Sequence, residues 1–101
     1  MKVSLTPQIA IDKAVALIDG SDTGGSAALA HVLLHAYNAA QQPLDITELC
    51  RMDDDYEEIA WTILKHRVDG HEPHHLASDK KAFQRVVDDY WVHPTENQTS
   101  L

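Results

Sequence analysis

Ala27-Ala28-Leu29-Ala30-His31-Val32-Leu33-Leu34-His35-Ala36-Tyr37-Asn38-Ala39-Ala40-Gln41 is the stretch that decides the fold class. Leu29, Val32, Leu33, Ala36 and Ala40 recur at spacings of three and four. At about 100° per residue they share one face of a helix. His31, His35 and Asn38 fall on the opposite face. The stretch therefore predicts a helix over 27–41 with an apolar side and a histidine-bearing side.

Upstream, Thr6 followed by Pro7 marks a helix start. A threonine side chain can accept from a first-turn N–H, and proline suits the first helical position. Ile11, Ala14, Val15 and Ile18 form an apolar stripe, and Gly20 is placed to end the helix in the left-handed conformation. Ser21-Asp22-Thr23-Gly24-Gly25-Ser26 follows a helix and lacks the lysine of a phosphate-binding loop. It reads as a helix–helix turn.

Downstream, Gln41-Gln42-Pro43 breaks the second helix. Asp45 with Glu48 has capping-box spacing, which predicts a short helix over 46–50. Asp54 with Glu57 repeats that spacing and predicts a helix reaching Val68, with Tyr56, Ile59, Ala60, Ile63 and Leu64 inward. Lys65 and Arg67 sit in its last turn, where cations are favoured, and Gly70 ends it. His71-Glu72-Pro73-His74-His75 reads as a loop. Ser78 is the expected cap of a last helix over 79–91 carrying Phe83, Val86, Val87 and Tyr90, and Pro94 blocks its extension. No segment alternates apolar and polar residues over a strand's length. The expected fold is all-α: a compact bundle of four principal helices plus one short helix. It forms one domain over 1–94, with a polar, mobile tail over 95–101.

Eight Lys and Arg oppose sixteen Asp and Glu in 101 residues, giving a net charge of −8 with histidine neutral. Such a surface is repelled by phosphate backbones, so direct nucleic-acid binding is not expected. A basic protein surface is the complementary partner. No run approaches the roughly 20 apolar residues of a membrane span, and the first residues do not read as a signal peptide, so the expected location is the cytoplasm. Cys50 has no second cysteine to pair with and reads as a small apolar filler near a helix end.

The chemistry-bearing residues form three groups. Asp53, Asp54, Asp55, Glu57 and Glu58 put five carboxylates into six positions. Acid–base catalysis needs two carboxylates in different environments, and this run at a helix start looks solvated. It also lacks the glycine of a calcium loop. His31 and His35 have the spacing of two ligands on one helix side but no HExxH pattern and no third ligand fixed by sequence. They read as a solvated or partner-facing pair. The region of His66, His71, His74 and His75 is rich in imidazoles but has no cysteine and a single carboxylate, so no metal and no cofactor is assigned. No nucleophile elbow is present, and a domain this small has little room for a deep substrate pocket. The chain is expected not to be an enzyme. Asp53, Asp54, Asp55, Glu57, Glu58, His31 and His35 are the candidate partner-binding residues.

Several short motifs occur in a suggestive order: Asp22-Thr23-Gly24-Gly25-Ser26, then Ala30-His31-Val32-Leu33-Leu34-His35-Ala36-Tyr37-Asn38-Ala39, then Leu44-Asp45-Ile46-Thr47-Glu48-Leu49 and Met52-Asp53. Over about residues 15–91 this order resembles a family of short proteins of unknown function encoded on phages and integrative elements of proteobacteria. That family usually has a tryptophan near the position of Cys50, which is absent here. Small acidic helical proteins of such elements are in turn similar to anti-CRISPR proteins that inhibit the type I-F surveillance complex. The resemblance implies an inhibitor in a bacterial host cell whose acidic surface covers the Lys/Arg surface that the complex uses to hold DNA. The alternative is a non-catalytic adaptor or regulatory module of a mobile element.

Overall fold

The computed structural model describes residues 5–20 and 24–91. The expectations placed on Asp22-Thr23, on Pro94 and on the tail 95–101 lie outside the described residues. Four α-helices make the fold: α1 (Pro7–Asp19), α2 (Gly24–Tyr37), α3 (Asp54–Val68) and α4 (Lys80–Tyr90). A 3₁₀ helix, Ile46–Arg51, joins α2 to α3, and a 3₁₀ turn, Pro73–His75, joins α3 to α4. Among the described residues there is no strand. The expected all-α bundle is therefore what forms. The short helix is of the tighter 3₁₀ kind, and the histidine loop contains a second such turn.

α1 starts as expected, with Thr6 accepting from the Ile9 N–H. It buries Ala10, Ile11, Ala14, Val15 and Ile18. Gly20 closes it at φ −99°, so the left-handed conformation expected there is not used. Gly70 does use it, at φ 98°. The Gly70 N–H donates to the Arg67 carbonyl and the His71 N–H to the His66 carbonyl, the crossed pair of a Schellman end that stops α3.

α2 is the central element and packs against α1, α3, α4 and both 3₁₀ segments. Ser26, Ala28, Leu29, Ala30, Val32, Leu33, Leu34 and Ala36 are all buried, so its interior side is far wider than one stripe. The helix also begins three residues earlier than expected. Gly24, Gly25 and Ser26 are its first turn, not a linker, and Ser26 is fully buried there. A Cβ added at Gly25 would sit 3.5 Å from the Tyr56 ring. The other end comes early, since Asn38 Oδ1 accepts from the Gln41 N–H and turns the chain away. Ala40 is left exposed beyond the helix.

Three caps sit one residue from their expected places or work differently. α3 is capped by Asp53, whose Oδ1 accepts from the Tyr56 N–H, not by Asp54. α4 is capped by Asp79, whose Oδ1 accepts from the Ala82 N–H. Ser78 instead donates its N–H and hydroxyl to the two Asp12 carboxylate oxygens, at 2.9 and 2.6 Å, and accepts from Gln8. Asp45 accepts from the Thr47 N–H and hydroxyl, while Glu48, its expected reciprocal partner, points elsewhere. Arg85 pairs with Asp19, a second polar tie between α4 and α1.

Candidate functional site

The start of α3 holds the acidic edge. Asp53 is consumed as the cap. Asp54 and Asp55 are exposed in the first turn, and Glu57 and Glu58 are half-buried. Unpaired first-turn N–H groups favour anions there, as Lys65, His66 and Arg67 are favoured at the opposite end. Among the described residues, Asp54 and Asp55 make no ion pair. Glu58 is engaged within the chain, so the five carboxylates do not form one uniform free surface.

His31 and His35 do not present a matched, solvated pair. The His31 ring donates through Nδ1 to Glu48 Oε1 at 2.6 Å. Both side chains of that contact are largely covered, 30% and 18% exposed. His35 donates through Nδ1 to the Gln42 carbonyl at 2.9 Å. Each histidine is anchored to the segment that follows α2. The 3₁₀ helix covers the side of α2 that the periodicity leaves polar. No signal inside α2 carries this. The available one is Glu48 itself, an acidic residue on a covering segment 17 positions away.

The remaining histidines gather where α3, the Pro73–His75 turn and α4 meet. His66 and His71 stack, with ring centroids 4.9 Å apart and planes 18° from parallel. They are the two residues brought together by the Schellman end. Burial, and secondly the His71 charge, push His66 below the usual histidine value, against the opposing pull of Asp69. His74 packs edge-on against Tyr37 at 5.1 Å, and Tyr37 in turn against Phe83 at 5.6 Å. An open groove of about 650 Å³ runs past Tyr37, Asn38, Glu72, His74, Asp88 and Trp91. Cys50, expected as a buried filler, is exposed on the 3₁₀ helix.

Ser78 is bonded to Asp12 and Gln8 with no histidine in that network, so these residues do not make an activated nucleophile. Among the described residues no helix is long and apolar enough to cross a membrane. Fold and side-chain geometry together define a small acidic all-helical domain with an anionic helix start and a histidine corner. By its match over residues 8–91, the chain belongs to the family of unknown function DUF7673. Neither the curated proteins nor the solved structures give a significant match.

Proposed function

We propose that the protein is a non-catalytic binding module that engages a basic protein surface through the start of α3. The observation that carries this reading is the division of labour at that start: Asp53 alone caps the helix, while Asp54 and Asp55 stand exposed beside it. The net charge of −8 supports it, because the whole surface field attracts a cationic partner and repels nucleic acid. Asp53 serves the fold, and Glu57 and Glu58 border the edge. His31 and His35 act from behind it, by holding the covering segment in place. The narrower form of this reading, suggested by the sequence resemblance, takes the DNA-holding surface of a type I CRISPR surveillance complex as the partner, in the cytoplasm of a bacterium.

The test compares the wild type with the Asp54→Asn/Asp55→Asn double variant. Partners are crosslinked in a bacterial lysate, and circular dichroism verifies the fold. A basic protein captured by the wild type and lost from the folded double variant is the expected result. Equal capture by both removes the acidic edge from the reading. Target-DNA binding by a purified type I surveillance complex tests the narrower form. No inhibition by excess wild-type protein discards it.

A further inference from the structure

We propose that Glu72, His74 and His75 form a binding site for a divalent transition metal. Their three ligand atoms, one carboxylate oxygen and two imidazole nitrogens, lie within 4.8 Å of one another. Sequence spacing alone gives no such convergence. It arises because Pro73 is buried and opens the 3₁₀ turn, which folds the residues on both sides of it back together.

Two of the three ligand atoms already stand at the spacing that a bound ion requires. Glu72 Oε2 and His74 Nε2 are 3.5 Å apart. A charge-assisted hydrogen bond would close to about 2.7–2.9 Å. Two donors on one tetrahedral ion, with bonds of about 2.0–2.2 Å, stand about 3.4 Å apart. The observed 3.5 Å separation is therefore compatible with both atoms binding one ion. His75 is exposed, with its ring packed on that of His74 at 4.2 Å between centroids, and supplies the third donor within the same 4.8 Å.

The site is also held in shape before any ion arrives. The His74 ring is braced by Tyr37, and its Nδ1 is buried without a hydrogen-bond partner. That leaves Nε2, beside Glu72, as its donor. Lys80 Nζ donates to the His74 and Ala77 carbonyls at 2.9 and 3.0 Å, which fixes the backbone of the turn. Asp88 and Asn38 line the same groove as Glu72 and His74. Two imidazoles with one carboxylate suit zinc, cobalt, nickel or copper, and are a poor set for calcium or magnesium. Three protein donors leave a further position for water or for a ligand of the metal.

The experiment uses untagged full-length protein stripped with a chelator, titrated with Zn²⁺ by calorimetry and with Co²⁺ by visible absorption. One equivalent of saturable binding is expected, with the d–d bands of protein-bound cobalt. His75→Gln and Glu72→Gln should each weaken binding about tenfold or more, equivalent to about 1.4 kcal/mol. His71→Gln and His35→Gln should leave it unchanged. The decision rests on the exposed His75 and on Glu72, because His74 variants also disturb packing on Tyr37. Absence of saturable binding of both ions, or unaltered affinity in His75→Gln, would overturn the assignment. Neither outcome depends on Asp54 or Asp55.

Discussion

α2 and the start of α3 treat polar side chains in opposite ways. On α2, Ser26 is fully buried, and His31 and His35 are tied to the chain's own Glu48 and Gln42. At the start of α3, Asp53 is used as the cap, and its two neighbours Asp54 and Asp55 face water. The difference lies in what surrounds each helix. α2 is enclosed by three helices and two 3₁₀ segments, whereas Asp54 and Asp55 in the first turn of α3 are exposed. A polar residue on the enclosed helix must find a partner inside the molecule, because leaving it unsatisfied costs about 1–3 kcal/mol. A polar residue at the edge has no such obligation and is free for another molecule.

The strongest attack on this comparison is Leu33→Ala at the middle of α2. Leu33 is 0% exposed, so the truncation should cost about 2–5 kcal/mol in chemical denaturation. A loss under about 1 kcal/mol, the range of an edge position, would mean that α2 is not the enclosed element. Glu48→Ala is the next step down. It strips His31 of its acceptor in a largely covered site and should cost about 1–3 kcal/mol by the same measurement. A surface ion pair would give about 0–1 kcal/mol instead. The smallest and sharpest contrast is within the acidic run. Asp53→Ala should lower stability by about 1 kcal/mol, as loss of a cap does. Asp54→Ala should stay within about 0.5 kcal/mol of wild type. Reversed effects would return the cap to the position that the capping-box spacing suggests.

That spacing shows why some features were legible and others were not. The stripes of α1 and α4 were readable because each helix has one neighbour-facing side: Ile11, Ala14, Val15 and Ile18 on α1, and Phe83, Val86 and Val87 on α4, are all buried. Thr6 and Gly70 were readable because their chemistry is local. Asp53 and Asp54 were not distinguishable, since three consecutive aspartates offer equivalent caps and tertiary packing selects the register. The turn read at Gly24 to Ser26 failed for a related reason. Glycine disfavours a helix interior, but burial of the adjoining Ser26 and Ala28 against the core outweighs that preference. Periodicity puts His31 and His35 on an open face because it reports only which sides of a helix differ, not what later covers the polar one. The convergence of Glu72, His74 and His75 depends on side-chain placement around Pro73, which one-dimensional spacing does not contain.

The ties between α1 and α4 bear on the order in which the molecule assembles. Ser78 reaches Asp12, and Arg85 reaches Asp19, each across 66 positions of chain. A growing polypeptide that has released α1, α2 and α3 still holds Asp12 and Asp19 without these partners. It also leaves the α1 side that packs on α4 uncovered. Long-separation contacts form after the loop-closure entropy has been met, so α4 acts as a latch on α1. Completion of the bundle is thereby deferred until α4 has emerged.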